Sequence, residues 1–251
     1  MKKKSKKQLK FGLIGRNISY SFSEKYFAEK FEISHFDNCE YKNYDIETIN
    51  EFPKIVSETK GLMGLNVTIP YKEEIIPLLD KLSKTAKKIG AVNCITISKN
   101  KKLKGYNTDY YGFKKSIKPL LKEHHKKALI LGTGGACKAV AYALRKLKIE
   151  YDFVSRTPNE FQFGYTDLNA EIFEEYHIVI NTTPIGTYPN VENCPDLDYS
   201  LFTKKHIAFD LVYNPEETTF LKKAKEHGAK TKNGYDMLVF QAEKAWEIWN
   251  E

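Results

Sequence analysis

The sequence predicts an α/β protein of two domains, and three observations carry that prediction. Short apolar runs alternate with helical periodicity from Phe11 to Trp249, a pattern that builds parallel sheets covered by helices. The 251 residues suffice for two modest cores, and the character of the chain shifts near Asp109. A glycine-rich turn, Gly132-Thr133-Gly134-Gly135, stands between an apolar strand and an alanine-rich helix in the second half.

In the first half, Phe11-Gly12-Leu13-Ile14-Gly15 reads as a buried strand. A helix is expected from about Ser23, with Ser21 or Ser23 as N-cap and Phe27 and Phe31 on one face. Cys39 to Tyr44 reads as the next strand, after which Asp45 would cap a helix through Ile46, Ile49 and Phe52. Gly64 to Thr68 is a strand that Pro70 must end, because proline has no donor for the ladder. Lys72 to Leu82 is helical in pattern, with a break or kink at Pro77. Val92 to Ile97 and Leu103 to Tyr106 form a strand pair around a polar turn at Ser98 to Lys101.

In the second half, a helix runs from Asp109 to about Leu121 and the strand Ala128 to Leu131 follows. After the glycine turn come a helix from Ala136 to Leu147 and a strand from Tyr151 to Val154. His177 to Ile180 and Ile207 to Asp210 are later strands. Asn214-Pro215-Glu216-Glu217 reads as a helix start: cap, proline in the first turn, then acids. The last helix, about Asp236 to Trp249, places Leu238, Ala242, Ala245 and Trp249 on one face and crosses back onto the first domain. The chain is therefore divided into a basic tail 1–10, a first domain 11–108 plus 236–251, and a second domain 109–235, with a cleft between the two.

Composition excludes several classes. Of the net charge of +8, six charges come from lysines in the first ten residues, and Arg16, Arg145 and Arg156 are the only arginines. Base and phosphate readout favours arginine's fork, so nucleic acid is not an expected partner and the tail reads as a solvated basic segment. No apolar run approaches the roughly 18 residues that span a bilayer, and no apolar region follows the N-terminal charges, so neither a membrane span nor a signal peptide is expected. Cys39, Cys94, Cys137 and Cys194 form no C-x-x-C pair, and the six histidines show no ligand spacing. No metal site is expected, and unpaired thiols fit a cytoplasmic protein.

The glycine turn points to a nucleotide. Gly132, Gly134 and Gly135 permit a tight turn and close approach of a pyrophosphate to backbone N–H groups, and the following helix N-terminus adds favourable partial charge. Strand, glycine turn, helix and strand in this order imply a Rossmann-like dinucleotide-binding domain, although Cys137 occupies the third glycine position of G-x-G-x-x-G. The strand that follows ends in Ser155-Arg156-Thr157 rather than in an acid. A cation and two hydroxyls suit a 2′-phosphate, so NADP is expected over NAD; the plain alternative is that Arg156 is a solvated surface residue.

In the other half, Asn66, Thr68 and Lys72 cluster around a strand end, where Asn93 and Asp109 would join them. Ligands of open parallel sheets bind beyond such carboxyl ends. Taken singly, each has a structural reading: Asn66 and Thr68 as turn formers, Lys72 as a solvated residue, Asp109 as an N-cap.

Together these residues resemble the shikimate dehydrogenase family, and the resemblance runs over nearly the whole chain after the tail. Gly15 to Ser23 resembles G-x-x-I-x-H-S-x-S, and Asn66 to Lys72 matches N-V-T-x-P-x-K. Gly90 to Asn93 matches G-A-V-N, Gly105 to Asp109 matches G-x-N-T-D, and Gly132 to Ala136 matches G-x-G-G-A. Asn181 to Gly186, Asp210 to Pro215 and Met237 to Ala242 continue it in order. The resemblance implies NADPH-dependent, reversible reduction of 3-dehydroshikimate to shikimate, a step toward chorismate and the aromatic amino acids. It makes Lys72 and Asp109 the catalytic pair. Ser21 and Ser23 would hold the substrate carboxylate, while Asn66, Thr68, Lys72, Asn93, Asp109, Tyr213 and Gln241 would bind the ring hydroxyls or line the pocket. Gly132, Thr133, Gly134, Gly135 and Ala136, with Ser155, Arg156 and Thr157, would hold NADP, and Leu211 and Gly234 would sit near the nicotinamide. A monomer or homodimer is expected.

Several positions depart from the family pattern. Tyr20 replaces a histidine, Glu24 a proline, and Asp236 a common glycine. In the phosphate element N-R-T-x-x-R, Ser155 replaces asparagine and Glu160 the second arginine. Arg156 is left as the main cation, with Lys138 as a helper, so a real but modest NADP selectivity is expected. The rivals are an NAD-using quinate or quinate/shikimate dehydrogenase and, from another class, a non-catalytic NADP-binding regulatory protein.

Overall fold

The computed structural model describes residues 8–19 and 21–251, so Tyr20 and most of the basic tail lie outside the described residues. The chain forms two compact units, one of residues up to Thr108 with Ala242–Glu251, the other Asp109–Gln241. The second boundary falls inside the last helix rather than at its start.

The first unit holds strands β1 (Leu9–Gly15), β2 (Cys39–Asp45), β3 (Leu62–Val67), β4 (Lys81–Leu82), β5 (Cys94–Ile97) and β6 (Leu103–Tyr106), with helices α1 (Phe22–Ile33), α2 (Phe52–Glu58) and α3 (Lys84–Ile89). The strand order is β2-β1-β3-β5-β6-β4. β1 runs parallel to β2 and β3, whereas β5 is antiparallel to β3 and β6. Alternation along β1 sends Phe11 and Leu13 to one face, with Phe27, Phe31 and Trp249, and Ile14 to the other, with Leu65, Ile75 and Ile95. Gly64 leaves room for Trp249: a Cβ there would lie 2.2 Å from the indole nitrogen, which donates to the Ile95 carbonyl at 3.0 Å.

The second unit holds α4 (Asp109–Ile117), β7 (Lys127–Leu131), α5 (Gly135–Leu147), β8 (Glu150–Ser155), β9 (Gln162–Gly164), α6 (Ala170–Glu175), β10 (Ile178–Asn181), β11 (Ile207–Asp210), α7 (Thr219–Glu226) and β12 (Lys230–Lys232); α8 (Tyr235–Asn250) starts here and ends in the first unit. The order is β12-β11-β10-β7-β8-β9, with every pair parallel. β7 carries Ala128 and Ile130 into one core and Leu129 and Leu131 into the other, so it reads as a continuous apolar run. The chain leaves β7 toward β8 on one side and returns to β10 on the other. That places the topological switch point at the end of β7, where the glycine turn begins.

Five local expectations are corrected. Asp45 ends β2 and caps no helix; its carboxylate accepts from the Asn17 and Ile18 N–H groups at 2.8 and 3.0 Å, and the turn before α2 is held instead by Glu51, which accepts from the Thr48 N–H. Lys72 to Leu82 is not an α-helix: proline at 77 permits only the 3-10 turn Ile76–Leu78, after which β4 begins. Asp109 is the first residue of α4, not its cap. The helix expected from Asn214 begins at Thr219, because the Thr218 hydroxyl caps it by accepting from the Leu221 N–H. The tail is also shorter than expected, since β1 starts at Leu9.

Candidate functional site

In the first unit the expected residues gather at one edge of the sheet. β3 ends there, β5 starts there and β6 ends there, so Asn66, Asn93 and the Asn107-Thr108 pair are neighbours through strand pairing. All four of these side chains are buried. A buried amide must be paired, and these are. The Asn66 Nδ2 donates to the Asn93 carbonyl at 3.1 Å, and the Tyr41 hydroxyl donates to Asn66 Oδ1 at 2.8 Å. The Asn93 Nδ2 donates to Thr108 Oγ1 at 2.9 Å, while Asn93 Oδ1 accepts from the Thr108 N–H at 2.6 Å. Asn107 donates to the Ala91 carbonyl at 3.1 Å. The segment that delivers Asp109 is therefore pinned by both of the residues before it.

Ser21 is the N-cap of α1 and accepts from the Ser23 N–H at 3.2 Å; Ser23 is buried in the first turn. Thr68 leaves β3 with its N–H on the Ile14 carbonyl at 2.8 Å, and its methyl lies where a Cβ on Gly15 would come within 2.6 Å. Tyr71 is almost fully buried and donates to the Ile46 carbonyl at 2.8 Å, fixing the backbone that carries half-buried Lys72. The Lys72 carbonyl accepts from the Val92 N–H at 2.7 Å, so the lysine is tied to the strand that brings Asn93.

In the second unit the glycine turn is built of backbone. Gly132 has φ +100°, and a Cβ on it would lie 2.8 Å from the Thr183 methyl, so the position needs glycine for conformation and for space. Gly134 is the N-cap of α5 with no side-chain cap, and a Cβ there would meet nothing within 4 Å. Thr133 is exposed, Gly135 and Ala136 open the helix half-buried, and buried Ala139 follows in its second turn. An open, side-chain-free helix N-terminus at the switch point fits a dinucleotide pyrophosphate. Just past β8, Arg156 and Thr157 are exposed, whereas the Ser155 hydroxyl accepts from the Thr157 N–H at 3.2 Å. That arrangement presents a cation at the strand end, as a 2′-phosphate requires.

Leu211 and Gly234 come together: a Cβ on Gly234 would lie 2.1 Å from the Leu211 carbonyl oxygen, and the Gly234 N–H donates to the Val212 carbonyl at 3.0 Å. Tyr213 is half-buried two residues after Leu211. Asp109 is buried at the start of α4, which crosses α8 at Gly112; a Cβ there would lie 2.4 Å from the Met237 carbonyl oxygen and 3.1 Å from the Gln241 backbone nitrogen. Gln241 is buried and donates to the Leu238 carbonyl at 2.9 Å.

Sequence reasoning misses two supporting residues. Tyr41 reads only as part of a strand, yet its hydroxyl reaches Asn66. Asp210, fully buried at the end of β11, accepts from the Asn181 amide at 3.0 Å, the Val212 N–H at 3.0 Å and the Thr218 hydroxyl at 2.6 Å. Burial outweighs these three donors and pushes its carboxyl up to about 7. The ordered motifs Asn181 to Gly186 and Asp210 to Pro215 are the available signal for that network. Among the described residues, no group of His, Cys, Asp or Glu could hold a metal ion, and no helix is long and apolar enough to cross a membrane.

Comparison with known proteins bears on this geometry. A family model for the shikimate dehydrogenase substrate-binding domain matches residues 13–95. The NADP⁺ shikimate dehydrogenase of Methanococcus aeolicus is 37% identical over 95% of this chain and 90% of its own. The crystal structure of the Aquifex aeolicus shikimate dehydrogenase superposes with a TM-score of 0.85 at 36% identity, covering 97% of this chain and 92% of that one. The Thermus thermophilus enzyme, solved with NADP(H) and shikimate, gives 0.84 at 32% identity, over 96% and 93%. The chain belongs to the shikimate dehydrogenase family.

Proposed function

We infer that the protein is a shikimate dehydrogenase that reversibly reduces 3-dehydroshikimate to shikimate with NADPH, within chorismate and aromatic amino acid biosynthesis. The observation that carries this reading is the buried Asn66–Asn93–Thr108 network at the carboxyl edge of the first sheet, in a chain that matches a family member over 95% of its length. Substrate binding is assigned to the first unit, through Ser21, Ser23, Asn66, Thr68, Lys72 and Asn93, with Asp109, Tyr213 and Gln241 completing the set. Cofactor binding is assigned to the second unit, through the Gly132 to Ala136 turn, Ser155 to Thr157, Leu211 and Gly234.

When bound, NADPH supplies the hydride that reaches the ketone carbon. The residues of the chain manage the charge and the proton. As the carbon is reduced, negative charge builds on the carbonyl oxygen; the Lys72 ammonium stabilises that oxygen and then protonates it. In the oxidising direction the hydroxyl proton passes back to Lys72 and on to solvent; because oxidation releases a proton, higher pH favours it. Asp109 is the carboxylate partner of Lys72 in this scheme. Four unbridged cysteines support a cytoplasmic setting.

NADP selectivity rests on Arg156, with Glu160 in place of a second cation, and the preference over NAD is therefore modest. The decisive assay measures initial rates of NADP⁺ reduction with shikimate, with quinate and NAD⁺ as cross-controls. The reading predicts that shikimate with NADP⁺ is the most efficient pair. Faster quinate oxidation with NAD⁺ would replace it with the quinate reading, and cofactor binding without turnover would replace it with a non-catalytic one.

A further inference from the structure

We propose that Tyr41 is a positioning residue for the substrate: its hydroxyl locks the Asn66 amide so that Asn66 offers an N–H, not its oxygen, to a substrate oxygen. The proposal rests on the assignment of Asn66 to substrate binding, and it adds a residue and a polarity to that assignment.

The number of protons available fixes the direction of each hydrogen bond. The Asn93 carbonyl oxygen has two lone pairs and accepts from the Val67 N–H at 3.0 Å and from the Asn66 side chain at 3.1 Å. A carbonyl cannot face an amide oxygen, so the Asn66 NH₂ group points to Asn93 and its Oδ1 points the other way. Tyr41 Oη lies 2.8 Å from that Oδ1, and an amide oxygen only accepts. The single phenolic proton is thereby committed to Asn66. The order is Tyr41 to Asn66 to the Asn93 carbonyl, both hydrogen bonds running the same way.

Two consequences follow for the ligand. Asn66 has one further N–H, and that is the group it can direct at a hydroxyl or ketone oxygen. Ser21 accepts from the Ser23 N–H as the N-cap and keeps its own hydroxyl proton for a carboxylate. Packing holds the Tyr41 ring in place, stacked on Phe27 at 4.5 Å with an interplanar angle of 14° and 6.3 Å from the Trp249 ring. Burial holds the phenol well above its usual range, so it remains a neutral donor at all working pH values.

Tyr41→Phe, which removes one oxygen and keeps the stacked ring, tests this when combined in a cycle with Asn66→Ala. Loss of one buried hydrogen bond that fixes a binding group predicts a KM for shikimate raised about tenfold. Turnover should stay within about twofold and NADP⁺ affinity should be unchanged, which also certifies that the variant is folded. In the Asn66→Ala background, Tyr41→Phe should add nothing, because the amide it orients is gone. A KM within about twofold of wild type for Tyr41→Phe, or an equal loss in both backgrounds, overturns the positioning role alone. An unchanged KM for Asn66→Ala overturns the substrate assignment beneath it, and the proposal with it.

Discussion

On the proposed assignment, the two units are equipped for their ligands by opposite means. In the first, recognition is built of side chains fixed on one another before a ligand arrives: Tyr41 on Asn66, Asn66 on Asn93, Asn93 on Thr108. In the second, it is built of absent side chains: Gly132 cannot carry a Cβ, and Gly134 leaves the start of α5 open. Fixed side chains discriminate, because a substrate lacking one oxygen leaves a buried amide unpaired. Bare backbone accommodates, since N–H groups grip a pyrophosphate that many cofactors share. On the proposed assignment, substrate identity is set chiefly in the first unit, whereas cofactor identity falls to Arg156 at the edge of the second.

The largest way to break that contrast is Lys72→Ala. Turnover should fall by about 10²- to 10⁴-fold, the range for a lost proton donor, with NADP⁺ affinity unaffected. Near-normal turnover in a single-turnover measurement would remove Lys72 from the mechanism. The glycine turn comes next, and its two glycines should fail differently. Gly132→Ala combines strain at φ +100° with the Thr183 contact, at about 1–3 kcal/mol. Thermal stability and NADP⁺ affinity should fall together. Gly134→Ala meets no protein atom, so the melting temperature should hold while NADP⁺ titration shows weaker binding. Equal NADP⁺ affinity in Gly134→Ala would mean that no ligand approaches the turn.

A smaller effect sharpens the cofactor side. Arg156→Gln should cut the preference for NADP⁺ over NAD⁺ by about tenfold, as expected for one charge-assisted contact, with shikimate KM unchanged. The smallest involves no residue assigned to either ligand. His125 is pushed down to about 4, chiefly by burial and then by His124 beside it. The unfolded chain takes up this proton near pH 6.5, and the folded chain resists it until about 4. His125 therefore contributes stability that is present above about pH 6.5 and is lost as pH falls through about 4. Urea titrations across that window should show a shallower acid loss for His125→Gln than for wild type.

What the sequence makes legible follows the same division. Parallel strands buried on both faces, such as Ala128 to Leu131, announce themselves as apolar runs, and the glycine turn stands out because conformation alone demands it. Short elements are not legible: β9 and β12 have three residues each, and α6 and the 3-10 turns are too brief for a period to show. Asp45 and Thr218 show why caps mislead. Asp45 takes up the Asn17 and Ile18 N–H groups, far away in sequence, and Thr218 is fixed by Asp210 from the end of β11. Tertiary hydrogen bonds decide the use of both. Asn66, Lys72 and Asn93 are visible as motif residues. Tyr41 is not, because its hydroxyl matters only once β2 and β3 flank β1 in the sheet.

The most direct test of the functional account follows the hydrogen itself. Shikimate deuterated at the carbinol carbon that becomes the ketone is incubated with NADP⁺ and the protein, and the reduced cofactor is weighed by mass spectrometry. The account predicts NADPH carrying the deuterium, formed in step with 3-dehydroshikimate and slowed by at least about a hundredfold in Lys72→Ala. Cofactor that remains oxidised, or reduced cofactor without the label, would contradict it.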